Sequence, residues 1–303
     1  MIDETNRTTV SVPTNNVLRI GQVTIWVEKI GPASADAFLA TYKEDYRKLR
    51  PTFADGLARD MESNHWYFAA DPIKIDDQDN LIDGQHRLHA VKKSGTTQTF
   101  LIVHGLPKEA YNVTDVGLTR KYSDLLRMRK WRNVNNRAAL VKLISRWERG
   151  VSFEDSRRLT NAEHDELHDK YVDTITRAVE VVLSARSRIN MRISTATFAF
   201  WLLSQIDRER AYTFFIQLAE GENLKWGMPT YMLRERLHHE RDERHTHTYF
   251  LYMIFSAWNA FMQGRELTRV SVPNNVQRSQ LPELETEFMV PKVDSESDEE
   301  VSE

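Results

Sequence analysis

The run Leu81-Ile82-Asp83-Gly84-Gln85-His86-Arg87-Leu88-His89-Ala90-Val91 gathers a carboxylate, a glycine, an amide, two imidazoles and a guanidinium. Such a set can hold an anion. A helix that opens after a glycine presents backbone N–H groups without intrahelical acceptors, and the positive end of its dipole. Gly84 lets the backbone approach a ligand or adopt a strained turn. Gln85 follows it, and His86 and Arg87 add side-chain donors, so phosphate is the anion this arrangement fits. A cation in a first helical turn opposes the dipole by roughly 0.3–1 kcal/mol. A bound anion reverses that penalty, and local rules are usually broken at a site. Asp83 has two readings. It is an N-cap, the commoner use of Asp there, or a carboxylate that faces a metal or moves a proton beside the phosphates. His89 is expected to cover the sheet, with Leu88 and Val91 facing the core.

The elements around this run must position it. Pro72-Ile73-Lys74-Ile75 is strand-like, Asp76 to Asn80 supplies a turn, Gly95 can end the helix, and Thr99 to Val103 is β-rich. Upstream, Val17 to Ile30 alternates as one or two strands, and Ser34 to Met61 reads as helix broken near Pro51. Near Asp124 to Asn133 the period becomes helical. Ala138, Val141, Ile144 and Trp147 lie on one stripe, Thr160 to Glu163 forms a capping box, and Leu167, Tyr171, Ile175 and Val182 keep helical spacing. Further helices are expected over 195–207, 208–220, 229–239 and 243–263, with Gly221 and Gly264 as stops. Trp201, Phe214, Phe215 and Trp258 are core aromatics by their spacing. The expected fold class is α+β, a small mixed-sheet domain over 17–125 followed by an all-α domain over 126–270. A flexible arm, 1–16, and an acidic disordered tail, 271–303, flank them. No internal repeat is apparent.

The wording DGQHRLHA resembles the DGQHR variant of the ParB/sulfiredoxin superfamily, whose members carry Gly-x-(His or Arg)-Arg at a strand-to-helix turn. Further similarities follow in order: Trp66, Gly105-Leu106-Pro107, Asp115-x-Gly117-x-x-Arg120, Pro229 to Arg234, and Ala257-Trp258-Asn259. They match ParB-like proteins of phages and bacteria and cover most of the chain. The resemblance implies a sulfiredoxin-like sheet domain and a nucleoside triphosphate held at Gly84, Gln85, His86 and Arg87, with Mg²⁺ as companion. It also brings in Asp115 and Arg120. Arg120 would add a phosphate contact, and Asp115, like Asp83, would hold Mg²⁺ or act in catalysis. The chain departs from partition ParB in having His86-Arg87 where many of those proteins have two arginines, and their second nucleotide motif is not found.

Composition narrows the chemistry. The 303 residues contain no cysteine, which excludes disulfides, thiolate metal sites and thiol catalysis, the sulfiredoxin route included. No apolar stretch is long enough to span a bilayer, so a cytoplasmic protein of a bacterial cell or phage-infected host is expected, with no membrane partner. The net charge of −3 hides an asymmetry. Residues 282–303 hold nine acids against Lys292, whereas 119–158 hold twelve Lys/Arg against four Asp/Glu. Within the basic segment, Arg127, Arg129, Lys130, Arg132 and Arg137, with Trp131 among them, are candidates for DNA or RNA contact. The alternative is a solvated helical face. The His164/His168 and His238/Asp242/His245 spacings carry only a weak metal signal. The leading expectation is a nucleotide-binding protein acting on or with DNA. The alternative is a phosphotransferase, NTP hydrolase or nucleic-acid-modifying enzyme using the same turn, and a third is a non-catalytic host-interaction protein.

Overall fold

A computed structural model describes residues 16–42, 48–113, 121–155, 157, 159–240 and 245–287. They form two compact units, Met1–Arg120 with Ser156–Glu163, and Lys121–Asp155 with His164–Glu303.

The first unit is a mixed five-stranded sheet with helices. Strands β1 (Leu18–Ile20) and β2 (Val23–Ile30) form a hairpin; α1 (Pro32–Ala40) and α2 (Pro51–Glu62) follow. Each helix begins with a proline in its first turn, where the missing N–H costs nothing. Then come β3 (Pro72–Asp76), β4 (Leu81–Asp83), α3 (Gln85–Ser94) and β5 (Gln98–Leu106). The strand order is β1-β2-β5-β3-β4; β3 and β5 are parallel, and the other neighbours antiparallel. Alternation sends Trp26, Ile73, Ile75, Phe100 and Ile102 to one buried face, where Leu88, Ala90 and Val91 of α3 pack with them. Elsewhere in the sheet Leu18, Ile20 and Val27 remain exposed. The expected strand-turn-strand-helix-strand order over 72–106 is present, with Gly95 in a left-handed C-cap.

The β3–β4 turn that delivers Gly84 is built around one buried carboxylate. Asp76 Oδ1 accepts the N–H groups of Gln78 (2.9 Å) and Asn80 (2.8 Å), and the Asn80 amide donates to both oxygens. The turn therefore has its donors satisfied without water. Residues 159–163 also belong to this unit. The Thr160–Glu163 capping box is formed, and Glu163 receives Arg59 Nε at 2.6 Å.

The second unit is all helix: α4 (Tyr122–Met128), α5 (Val134–Glu148), α6 (Asn161–Lys170, from His164 on), α7 (Val172–Ser184), α8 (Ile193–Ile206), α9 (Arg208–Glu220), α10 (Pro229–His239) and α11 (His247–Met262). Asp207 caps α9 through the Arg210 N–H, and left-handed Gly221 ends it. The apolar stretch 167–182 divides between two helices at Tyr171, whose backbone leaves helical geometry. Helices α8 and α11 are enclosed on most sides; Trp201, Phe214, Phe215 and Trp258 are core residues as their spacing predicts. No helix among the described residues is long and apolar enough to cross a membrane.

One boundary differs from expectation. Residues 271–287, assigned by composition to the acidic tail, lie along the helical unit. Val270 and Val276 are buried, Trp258 Nε1 donates to the Glu285 carbonyl (3.1 Å), and Asn259 Nδ2 to that of Glu283 (2.6 Å). Glu283 and Glu287 are exposed and Glu285 is held by Gln263 Nε2 (3.0 Å), while valines, leucines and backbone supply the other contacts, so net charge is a poor guide here. Residues 288–303 lie outside the described ones.

Asp76→Ala leaves the half-buried Asn80 N–H without its acceptor, while the exposed Gln78 N–H turns to solvent, and should cost about 1–3 kcal/mol, the cost of one unsatisfied buried group. A urea midpoint within error of wild type would show that the turn holds without it.

Candidate functional site

Gly84 is the pivot of the site. Its φ of 110° is left-handed, and a Cβ there would stand 2.4 Å from Ile73 Cδ1 on β3. Only glycine meets both conditions without a shift in the neighbour. The Leu88 N–H reaches the Gly84 carbonyl at 3.0 Å and closes the first turn of α3. A left-handed residue leading into helix brings successive backbone N–H groups toward one point, an anion-binding concavity. The first turn of α3 carries no acid to neutralise it.

The side chains are used differently from expectation. Asp83 is not the N-cap; Gly84 occupies that position, with no side-chain cap. Asp83 Oδ1 accepts the Gly84 N–H at 2.7 Å, and Oδ2 lies 3.3 Å from Arg87 and 3.5 Å from Lys74. Arg87, expected to face an anion, turns inward. Its Nη1 donates to the Asp71 carbonyl (2.6 Å) and its Nη2 to the Pro72 carbonyl (2.8 Å). Only 11% of its side chain is exposed. The guanidinium fork matches the two carbonyls at the start of β3, and helical spacing sets it four residues after Asp83. His86 Nε2 accepts the Arg50 N–H at the head of α2 (3.0 Å), and its ring meets Phe53 edge-on. Gln85 Oε1 is buried with no hydrogen-bond partner among the described residues.

Farther along α3, that helix and α2 border an open groove of about 340 Å³ lined by Leu49, Pro51, Ala54, Asp55, His89, Lys92 and Lys93. Its charges are paired within the unit, Lys93 with Asp55 at 2.5 Å and Lys92 with Asp36 at 2.6 Å. Burial, aided by Lys92, pushes the His89 imidazole below its ordinary value. Asp115 and Arg120 lie outside the described residues, so their expected place beside the turn is not established. Among the described residues no group of three or more His, Asp or Glu is arranged to hold a metal ion. His164 stacks on Tyr122, His168 is fully buried, and Asp242 lies outside the described residues.

The basic candidates of the second unit divide. Arg127, Arg129, Lys130 and Arg132 are exposed around the α4–α5 turn, which left-handed Lys130 and Asn133 shape. Arg127 pairs with Asp124 (2.7 Å) and Arg129 with Asp165 (2.8 Å). Lys130 and Arg132 make no ion pair among the described residues. Arg137, expected at a nucleic-acid surface, is buried instead. It is 4% exposed, because α5 places it on the inward stripe with Leu140 and Val141. Its guanidinium donates to the Arg132 carbonyl (3.0 Å) and Thr176 Oγ1 (2.9 Å), and lies over the Trp131 ring. Burial lowers its pKa from the ordinary value, and burial likewise lowers that of His168, 3.4 Å away. It cannot reach a phosphate from there.

Sequence reading missed a cluster at the α10–α11 junction. Glu240, 6% exposed, receives Arg236 (2.5 Å), His245 (2.5 Å) and the Tyr249 hydroxyl (3.0 Å). Burial opposes the charge on Glu240, but the bonds from Tyr249 and His245 and the Arg236 charge hold its carboxyl below the usual range. The i,i+4 spacing of Arg236 and Glu240 was the available signal.

Arg87→Ala should destabilise the protein by about 1.5–3 kcal/mol, as loss of charge-assisted bonds does. Arg87→Lys should recover little, because a point charge cannot replace the fork. Equal urea midpoints for wild type and Arg87→Ala would mean that the strut carries no load.

His168 and His247 are both held below the ordinary imidazole value of 6.5, in each case first by burial. The folded protein thus binds fewer protons than the unfolded one, and stability rises with pH. The contribution is complete above about pH 6.5 and is lost as pH falls through the folded-state values. Melting temperature should therefore drop between about pH 7 and pH 5.5, and less steeply in His168→Gln. Parallel profiles for the two proteins would remove His168 from this account.

Compared with family models, curated proteins and solved structures, the chain gives no match.

Proposed function

We propose that the first unit binds a phosphorylated ligand over the β4–α3 turn, and that the ligand is a nucleotide, the class implied by the resemblance to ParB/sulfiredoxin proteins. The observation that carries this reading is Gly84. Its left-handed backbone, pressed against Ile73, heads a ten-residue helix with no acid in its first turn. Backbone N–H groups at that helix start are the phosphate donors in this reading. Arg87 and Asp83 hold the turn in shape rather than touching ligand. The buried Gln85 acceptor lacks a donor among the described residues, and in this reading a sugar hydroxyl or base amino group of the nucleotide supplies it.

Binding is favoured over catalysis on the same grounds. A phosphotransferase or NTP hydrolase needs a carboxylate available to metal or substrate. Asp83 is paired with Arg87 and Lys74, which leaves Asp115 as the residue on which a catalytic reading would rest. Mg²⁺ would then arrive with the nucleotide phosphates.

A second reading concerns the helical unit. The exposed cations Arg127, Arg129, Lys130 and Arg132 at one turn favour contact with the phosphate backbone of DNA or RNA.

A thermal-shift series with ribo- and deoxynucleotides, with and without Mg²⁺, tests the first reading. A ligand at 100 times its dissociation constant stabilises by about 2.7 kcal/mol. Gln85→Ala should weaken binding of nucleotides more than binding of inorganic phosphate, which has no sugar or base. No shift with any nucleotide would overturn the proposal. For the second reading, affinity for duplex or single-stranded DNA should fall steeply with salt, and Lys130→Glu with Arg132→Glu should abolish it. Absence of binding at low salt would return this turn to a solvated surface.

A further inference from the structure

The loop between α2 and β3 carries two adjacent aromatic rings into solvent, in the same unit as the Gly84 turn. Tyr67 is 76% exposed and Phe68 50%, and Ala69, Ala70 and Asp71 after them are exposed as well. An aromatic ring left in water forgoes the burial that such side chains usually gain. Trp66, the residue before them, shows the ordinary use: it packs against the core of the unit, its ring 5.8 Å from that of Phe100.

The loop is pinned at both ends and carries local costs between them. Trp66 anchors its start, and Arg87 clamps the Asp71 and Pro72 carbonyls at its end. Ala70 has a φ of 54°, a left-handed conformation that its Cβ disfavours. The Trp66 indole N–H is buried with no hydrogen-bond partner among the described residues, a second cost in the same short segment. Backbone strain and unmet polar groups of this kind gather where a segment is held ready for a ligand.

Sheet register brings this loop to the turn. Strands β3 and β4 are antiparallel with Lys74 opposite Asp83, so β3 starts at the end of the sheet where β4 finishes and α3 begins. Gly84 is pressed against Ile73, two residues after Asp71. At no more than about 3.6 Å per residue, Phe68 lies within about 18 Å of Ile73, within reach of a nucleoside triphosphate anchored at the turn. Trp66 shares its core with Leu88 and Val91 of α3, so the loop comes in on the α3 side of the sheet.

We propose, resting on the phosphate reading above, that Tyr67 and Phe68 are the stacking platform for the base of the nucleotide whose phosphates lie over the β4–α3 turn. The two ends of the ligand are then met by different means. Backbone N–H groups at the start of α3 take the phosphates. The rings of the α2–β3 loop take the base. Every base presents a π-face, so stacking adds affinity with little discrimination among bases. The platform thus separates nucleotides from inorganic polyphosphate, and only weakly one nucleotide from another.

Calorimetry on the full chain with tripolyphosphate and with nucleoside triphosphates, Mg²⁺ present, reads the two ends separately. Because both rings are exposed, Tyr67→Leu combined with Phe68→Leu should keep the wild-type melting temperature. That variant should lose roughly 5- to 100-fold in affinity for each nucleoside triphosphate, the range that stacking on an aromatic ring carries, and bind tripolyphosphate as wild type does. Tyr67→Phe combined with Phe68→Tyr keeps both rings and should bind nucleotides as wild type does. Unchanged nucleotide affinity in the leucine variant overturns the platform and leaves the phosphate reading standing. An equal loss for tripolyphosphate also overturns it, because the loop would then act by shaping the turn. A wild-type chain that binds neither ligand removes the phosphate reading, and the platform with it.

Discussion

At the head of α3 a single guanidinium joins a strand start, a turn and a helix. Arg87 gives two of its donors to the Asp71 and Pro72 carbonyls and shares the Asp83 carboxylate with Lys74. Each carbonyl gains a charged donor, and the Arg87 charge is met by Asp83 on one side and by the exposed Asp71 carboxylate (3.4 Å) on the other. Mutual satisfaction fixes the position of Gly84, whose glycine character is in turn required by the approach of Ile73. The geometry of the candidate site therefore follows from a neutralised ion cluster. What remains to meet a ligand is mostly backbone, which suits phosphate recognition and gives little information about the rest of the molecule bound.

The same economy governs the basic segment of the second unit. Its charge count overstates the cations offered to a partner. Arg137 lies in the core, Arg146 donates to the Phe153 and Asp155 carbonyls, and Arg149 pairs with Asp155. These guanidinium groups satisfy loop and helix-end carbonyls that no backbone N–H reaches. Arginine suits the task because its flat, weakly hydrated fork can be buried against rings, as Arg137 is on Trp131 and Arg278 on Trp147. The surface charge is concentrated at the α4–α5 turn.

Local sequence determined much of this protein. Asp207, Gly221 and Pro229 mark α9 and the start of α10 because capping and ring geometry act within a few residues. The β3–β4 turn, the helix after Gly84 and the Thr160–Glu163 capping box were legible for the same reason. So was the core role of the four aromatics at helical spacing.

Tertiary structure decided where the charges point. An arginine at a helix start reads the same whether it faces solvent or the carbonyls of a neighbouring strand. For Arg87 the choice depended on the Asp71 and Pro72 carbonyls, at and just before the start of β3, lying within reach of its two Nη groups. Arg137 was decided by which stripe of α5 faces α7, where Thr176 offers an acceptor. The order of residues 271–287 was decided by the apolar seat on the helices, which acidic composition does not reveal. Periodicity and capping are short-range and survive in sequence; the satisfaction of buried polar groups is a property of the assembled fold.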